Sequence, residues 1–165
     1  MDAANFRPRL IIVCGLPGAG KTTRARVLAG RLGAIRLAPD EWMATLAIDL
    51  YDADKRARIE ALQWSLGRDL LRQGCIVIIE WGTWARAERD VLRLGTRALG
   101  AAVELHYLTA PLEVLFARIQ QRAQEDPPIA WEDLVRWFAL LEVPTAAEMA
   151  LFDAPAVADH APDPD

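Results

Sequence analysis

The chain is short of several residue types, and each shortage excludes a class of protein. None of its apolar runs approaches the roughly 18 residues needed to cross a bilayer, and its first residues lack a hydrophobic signal segment. We therefore expect a cytoplasmic protein with no membrane partner. A single serine leaves no basis for a Ser-His-Asp triad, and two cysteines cannot make a disulfide framework. The two histidines have no Cys or His at ligand spacing, which argues against a zinc site.

An excess of basic residues is also missing. The net charge is −4 at pH 7. Residues 153–165 contain four aspartates and no Lys or Arg, which leaves 19 basic and 19 acidic residues in residues 1–152. A protein that binds polynucleotides normally carries a basic stripe, so this balance disfavours a nucleic-acid partner. Lysine itself is scarce, with only Lys21 and Lys55 in the chain.

One of these two lysines completes a phosphate-binding loop. Residues 15–22 match the pattern G-x-x-x-x-G-K-[ST] between an apolar run and a predicted helix over 21–32. Glycines in such a loop let backbone N–H groups surround phosphate oxygens, and the helix N-terminus adds a positive dipole. We expect Lys21 to contact the β- and γ-phosphates of ATP and Thr22 to bind Mg²⁺. The predicted nucleotide contacts are Gly15, Leu16, Pro17, Gly18, Ala19, Gly20, Lys21, Thr22 and Thr23.

Strands and helices alternate along the chain. This pattern predicts an α/β protein with a mostly parallel sheet of four or five strands and helices on both faces. A fifth strand is not evident. Cys14 and Cys75 fall at opposite ends of two expected neighbouring strands, so we expect both to be reduced thiols. The predicted strands cover residues 10–14, 34–37, 75–80 and 102–108.

The helices between these strands follow from apolar spacing and from end signals. Residues 54–72 form a predicted long helix, and Thr83 is expected to cap another over 84–99. We assign one domain to residues 1–152, and predict a mobile tail over the Ala-, Pro- and Asp-rich residues 153–165. The expected buried face of the long helix consists of Ile59, Leu62, Leu66 and Leu70.

Carboxylates follow two of the predicted strands. Ligands of open α/β sheets bind beyond the carboxyl ends of the strands, so Asp40, Glu41 and Glu80 are candidate site residues. Glu80 closes an apolar run as a Walker B carboxylate does, and is predicted to hold Mg²⁺ or contact the acceptor. Its alternative is a helix-entry or surface ion-pair role. Asp40 is a candidate base for an acceptor hydroxyl, with an N-cap role as its alternative.

Two arginines lie near the end of a later helix. Arg118 and Arg122 are four residues apart in a predicted helix over 111–123, so they face the same way. An Asp-Pro-Pro breaker follows. A mobile segment with two arginines can close on ATP and stabilise the transferred phosphoryl group. The alternative is a solvated face that pairs with Glu113 and Glu125, and the phosphate loop in the same chain favours the catalytic role.

Six tryptophans are many for this length, and three of them lie within four residues of a candidate carboxylate. Aromatic faces suit sugars, bases and cationic rings, although packing of helix starts against the sheet explains any single one equally well. The predicted acceptor contacts are Asp40, Glu41, Trp42, Glu80, Trp81 and Trp84. The other tryptophans are expected to be structural: Trp64, Trp131 and Trp137.

Taken in order, these motifs resemble the small P-loop kinases, which include zeta-toxin kinases, chloramphenicol phosphotransferase and the kinase domain of polynucleotide kinases. The resemblance covers roughly residues 9–152 and is carried by the phosphate loop, Asp40-Glu41-Trp42, Val77 to Gly82, and Arg118-x-x-x-Arg122. It implies a three-layer P-loop kinase sandwich, a catalytic aspartate at Asp40 and a lid that carries both arginines. Glu80 stands where many relatives have Asp.

We predict a kinase that uses ATP and Mg²⁺ to phosphorylate a hydroxyl of a small molecule that is sugar-like, a nucleoside or an antibiotic. Two alternatives stay open: a kinase of nucleic-acid 5′-hydroxyls, and a nucleotide-binding switch or accessory ATPase with no acceptor. The predicted catalytic residues are Lys21, Asp40, Arg118 and Arg122, and the predicted metal ligands are Thr22 and Glu80.

Overall fold

The structure is a computed structural model that describes residues 8–123 and 125–157. Its strands are β1 (Arg9–Cys14), β2 (Ile35–Leu37), β3 (Ile76–Ile79) and β4 (Ala102–Tyr107). Its helices are α1 (Lys21–Leu32), α2 (Pro39–Thr45), α3 (Ala53–Arg72), α4 (Arg86–Ala98), α5 (Leu112–Arg122), α6 (Trp131–Leu140) and α7 (Ala146–Met149). None of these helices has both the length and the apolar character of a membrane span.

The four strands form one parallel sheet in the order β2-β3-β1-β4. β1 lies in its centre, where Leu10 pairs with Val77 of β3 and with Val103 of β4. Because parallel strands end at the same edge, the loops after β1, β2 and β3 meet there. The predicted α/β architecture is confirmed. Cys14 and Cys75 are both free, as expected.

Alternate residues of the central strands pack against opposite helical layers. One set lies with Leu71 of α3 and Leu92 of α4, and the other with Ala25 and Leu28 of α1. Each buried Leu or Ile contributes about 1.5–3 kcal/mol to folding, so both faces need a helical cover. The first set is Leu10, Ile12, Val77 and Ile79, and the second is Ile11, Val13, Ile76 and Ile78.

Ile59 of α3 is buried as predicted, but the rest of the buried face lies one position later than the predicted one. Leu62 is 59% exposed and Leu66 is 39% exposed, so the prediction was wrong for both. Gly67 lies over β3, where a Cβ would make ordinary van der Waals contact with a valine side chain of that strand at 3.6 Å. Gln63 accepts a hydrogen bond from Trp81 Nε1 at 2.9 Å. The buried residues of α3 are Ile59, Gln63, Gly67 and Leu71.

Helix α4 starts at Arg86, and Thr83 does not cap it. The N-cap residue is Ala85, whose N–H donates to Glu88 Oε2 at 3.0 Å. Thr83 has a φ of 40°, a left-handed conformation that turns the chain between β3 and α4. Trp84 therefore belongs to a loop and not to the predicted helix.

The first residues of the predicted tail lie against the free edge of β4. The N–H of Asp153 donates to Val103 O at 2.8 Å, and the Val103 N–H donates to Asp153 Oδ2 at 2.7 Å. The Ala156 N–H donates to Glu104 Oε1 at 2.7 Å. These bonds occupy the edge at which a fifth strand would pair. Residues 158–165 lie outside the described residues, and the domain boundary at residue 152 stays a prediction.

Candidate active site

The phosphate loop between β1 and α1 is held by two close backbone approaches. A Cβ at Gly15 would lie 2.3 Å from Leu108 O, and a Cβ at Gly18 would lie 2.6 Å from Leu115 O. Both glycines also have positive φ, of 145° and 80°. Space and conformation therefore both require glycine here. The loop is fixed between the end of β4 and α5, the helix that carries Arg118.

The Lys21 ammonium lies within this loop, and none of the described carboxylates forms an ion pair with it. Its Nζ donates to Leu16 O at 3.0 Å. Burial lowers the pKa of Lys21 to about 8, against the opposing charges of Asp40 and Glu80. An ammonium has three N–H donors, so a desolvated one with a single protein acceptor suits phosphate oxygens as its next partners. The loop thus fits a nucleotide.

A pocket of about 840 Å³ opens in front of the loop, within the usual range for small-ligand sites. Its walls come from α1, the starts of α2 and α3, the residues after β3, and the turn between α5 and α6. The predicted residues that line it are Pro17, Gly18, Gly20, Lys21, Thr22, Thr23, Asp40, Glu41, Glu80, Trp81, Trp84 and Arg122. Those that do not are Gly15, Leu16, Ala19, Trp42 and Arg118.

Asp40 lies in the first turn of α2, at the pocket wall. The N-cap residue of α2 is Ala38, so the Asp40 carboxylate is not used as a helix cap. Its Oδ1 lies 2.7 Å from Arg56 Nη1, and its side chain is 70% exposed. After burial, Asp40 is the strongest influence on the pKa of Lys21, which it raises. Asp40 and Lys21 line the same pocket, so Asp40 shares that space with groups held by the phosphate loop.

Glu80 is buried at the end of β3 with only one of its oxygens satisfied. Oε1 is ion-paired with Arg36, which also lies 2.6 Å from Glu41 Oε1. Oε2 has no hydrogen-bond partner within the described chain. Burial raises the pKa of Glu80, and the charge of Arg36 opposes this shift. A buried carboxylate oxygen without a donor fits completion by a ligand or a cation.

This arrangement also fits Mg²⁺. The ion is usually held by one or two protein oxygens together with waters and substrate phosphates. The described part of the chain has no cluster of three or more His, Cys, Asp or Glu side chains suited to a metal. Thr22 and Glu80, which both line the pocket, are the residues that would hold Mg²⁺ beside the phosphates.

The predicted aromatic residues divide between the pocket and the core. Trp84 Nε1 donates to Gly15 O at 3.4 Å, and Trp81 is buried beneath the pocket wall. Trp42 instead packs against the core cluster on the α3 and α4 side of the sheet, so it does not contact the pocket. Residues two apart on a helix point to nearly opposite sides, which separates Trp42 from Asp40.

Helix α5 touches the phosphate loop through Arg118 and the pocket through Arg122. Arg118 Nη1 donates to Gly18 O at 3.4 Å. Arg122 is ion-paired with Glu125, as the alternative for a solvated face predicted, and it also lines the pocket. Arg122 and Lys21 line the same pocket, and the charge of Arg122 adds to burial in lowering the pKa of Lys21. The two arginines thus reach different parts of the site.

Several pocket residues were missed from the sequence. Trp137 of α6 was assigned a structural role, yet it lines the pocket 5.9 Å from the Trp84 ring. The Tyr51 hydroxyl donates to Pro127 O at 2.7 Å, which joins the loop before α3 to the turn after α5. Neither lies in a motif, so no sequence signal pointed to them. The sequence analysis also missed three charged residues that line the pocket: Arg56, Glu60 and Glu88.

A family model for the AAA domain matches residues 10–141, from β1 through α6. The chain belongs to the AAA domain family. For this AAA domain protein the match includes the phosphate loop, Asp40, Glu80 and both lid arginines. The predicted relation to the small P-loop kinases is confirmed at the level of the family. A comparison with curated proteins finds no match.

Solved structures with this fold include proteins of different function. A sugar kinase from Janibacter sp. HTCC2649 is 28% identical, with a TM-score of 0.63 over 85% of this chain and 81% of that one. A chain of the Pnkp1/Rnl/Hen1 RNA repair complex is 22% identical, with a TM-score of 0.70 over 92% and 48%. Kti12 from Chaetomium thermophilum, in complex with ADP-AlF3, is 24% identical, with a TM-score of 0.64 over 84% and 82%.

Proposed function

We propose that this AAA domain protein is an ATP-dependent kinase that phosphorylates a hydroxyl of a small sugar-like, nucleoside or antibiotic-like molecule. The observation that carries the proposal is the meeting of Lys21, Asp40 and Glu80 at one pocket of about 840 Å³. A phosphate-binding cation and two carboxylates in one pocket are what transfer of a phosphoryl group to an alcohol requires. The 28% identical sugar kinase supports an acceptor of this kind.

In the proposed reaction, Lys21 holds the β- and γ-phosphates, and Asp40 orients the acceptor hydroxyl and takes its proton. The hydroxyl oxygen forms a bond to the γ-phosphorus while the bond from that phosphorus to the bridging oxygen breaks. ADP leaves with the electron pair. Arg122 stabilises the charge on the transferred group, and Arg118 holds Gly18 of the loop. Mg²⁺ would be held by Thr22 and would neutralise phosphate charge, and Glu80 would complete the metal site or contact the acceptor.

The test is release of ADP in the presence of a panel of hydroxyl compounds, with mass spectrometry of the product. Asp40→Asn should retain ATP binding by calorimetry and lower transfer about 10²-fold or more, because the general base is lost. Asp69→Asn, at an exposed position of α3 paired with Arg72, is the matched control and should leave transfer unchanged. Normal transfer by Asp40→Asn would rule out its assigned role.

A second candidate is a kinase of nucleic-acid 5′-hydroxyls, which the structural likeness to the RNA repair complex favours. The balanced charge of residues 1–152 speaks against it. Efficient labelling of a 5′-hydroxyl oligonucleotide, with activity that falls steeply as salt rises, would select this candidate. ADP release that no added alcohol or oligonucleotide accelerates would instead select the nucleotide-binding switch.

A further inference from the structure

The pocket has more carboxylates than cations, and the pairing between them is uneven. Its cations other than Lys21 are Arg26, Arg56 and Arg122. Arg26 lies 3.1 Å from Glu41, Arg56 lies 2.7 Å from Asp40, and Arg122 is paired with Glu125. Lys21 forms no ion pair with a described carboxylate, so its charge is available to the phosphates. The carboxylates that line the pocket are Asp40, Glu41, Glu60, Glu80, Glu88 and Glu125.

Two of these carboxylates have no ion-pair partner among the described side chains. Glu60 of α3 is half-buried, and Glu88 of α4 uses one oxygen to accept the Ala85 N–H. Burial raises the pKa of Glu60, Arg56 opposes the shift, and the negative charge of Glu88 adds to it. Glu60 and Glu88 line the same pocket, and Arg56, which also lines it, is already paired with Asp40.

A third carboxylate supplies an independent sign of a ligand. Glu80 is 9% exposed and lines the same pocket, and its Oε2 has no hydrogen-bond donor among residues 8–123 and 125–157. Tyr51 and Trp137 add aromatic surface, which attracts cations when they lie over a ring face. An anionic acceptor would meet these carboxylates, while Arg56 in the same pocket is already paired with Asp40. A donor-rich cation would satisfy them.

We infer that the acceptor is a small alcohol with a protonated amine, bound with its ammonium group between Glu60 and Glu88 and its hydroxyl toward Asp40. This inference rests on the proposed function and names the class of substrate, such as amino sugars and aminocyclitols. The ammonium group takes no part in bond making. It orients the hydroxyl that attacks the γ-phosphorus, and its charge excludes acidic analogues from productive binding.

The experiment compares amino sugars and aminocyclitols with their N-acetylated and acidic counterparts, which keep the ring and change the charge. Binding is measured by calorimetry with Mg²⁺ and a non-hydrolysable ATP analogue, and transfer by ADP release and product mass. The proteins are wild type, Glu60→Gln, Glu88→Gln and the double variant. Glu113→Gln, at an exposed position of α5 outside the pocket, is the control.

We expect amines to be preferred over their N-acetylated counterparts by about tenfold or more in kcat/KM, as one charged hydrogen bond allows. The double variant should lose this preference with an unchanged KM for ATP. If neutral or acidic acceptors are used equally well, or if the double variant keeps the preference for amines, the inference is wrong and the proposed kinase activity is unaffected. Amine binding that both substitutions weaken, without transfer, supports the ammonium site between Glu60 and Glu88 and overturns the proposed kinase activity. Failure of every amine to bind overturns the inference.

Discussion

Arg89 and Glu148 form a bidentate ion pair that is buried, with exposed fractions of 0% and 1%. Arg89 Nε lies 2.7 Å from Glu148 Oε1, and Nη2 lies 3.1 Å from Oε2. The guanidinium also donates to the backbone carbonyls of Thr83, Trp84 and Glu142. One side chain therefore joins α4, the loop after β3 and the segment before α7. The loop that brings Trp84 to the pocket depends on it.

Arg89→Met should destabilise the protein, because Glu148 would stay buried without a partner. Removal of one member of a buried ion pair costs about 3–5 kcal/mol. Urea unfolding followed by tryptophan fluorescence measures the loss. Asp90→Asn is the control on the same helix. It removes a pair with Arg93 at 2.8 Å that is partly exposed and is expected to cost under about 1 kcal/mol. Similar unfolding midpoints for the two variants would contradict the structural role of Arg89.

The sequence could not reveal this ion pair. Arg89 and Glu148 are 59 positions apart and belong to no motif. Periodicity also missed the buried face of α3, because the helix approaches the sheet through Gln63 and Gly67, which a search for apolar residues passes over. The phosphate loop, the parallel sheet and the carboxylates at strand ends were accessible, because local sequence and strand polarity determine them. Long-range polar contacts, and the direction in which a side chain of a short helix points, as at Trp42, depend on tertiary packing and could not be predicted from local sequence.

Lys21→Ala should abolish ATP binding while the fold remains intact. Lys21 is the cation inside the phosphate loop, where its ammonium donates to Leu16 O at 3.0 Å. Lys55→Ala is the control. That lysine is exposed and pairs with Asp52, at 2.8 Å. Calorimetry with ATP and Mg²⁺, and circular dichroism for the fold, should separate the two variants. Equal ATP affinity in wild type and Lys21→Ala would disprove the assigned phosphate contact.

Arg122→Ala should lower kcat by about 10²-fold and change KM for ATP little, because its charge acts on the developing charge of the transition state. Arg118→Ala should have a smaller effect, since this side chain contacts Gly18 O and does not line the pocket. Arg136→Ala, which removes an exposed pair with Asp133 on α6, is the control. Steady-state kinetics with a saturating acceptor measure kcat and KM for ATP in the three variants. If kcat is unchanged in both lid variants, the arginines only form a solvated face.

The low pKa of Lys21 predicts opposite effects of pH on ATP affinity and on stability. Burial lowers this pKa to about 8, from an ordinary value of 10.5 that the unfolded chain keeps. Above about pH 8 the free protein loses the ammonium charge that attracts phosphate, so ATP affinity should fall about tenfold from about pH 7.5 to about pH 9. Over the range between the two pKa values, Lys21 binds more protons in the unfolded chain than in the folded protein, so its contribution to the unfolding free energy should rise with pH.

Lys21→Ala has no ammonium at this position, and it should lose the rise in unfolding free energy between about pH 8 and about pH 10. Calorimetric titration of wild type with ATP over the same range gives the binding half of the test, with Lys55→Ala as a variant that keeps the wild-type profile. Stability that rises equally in wild type and Lys21→Ala would assign the pH dependence to other groups. An ATP affinity that is flat across pH 8 would mean that Lys21 keeps its proton without the nucleotide, and that burial does not depress its pKa.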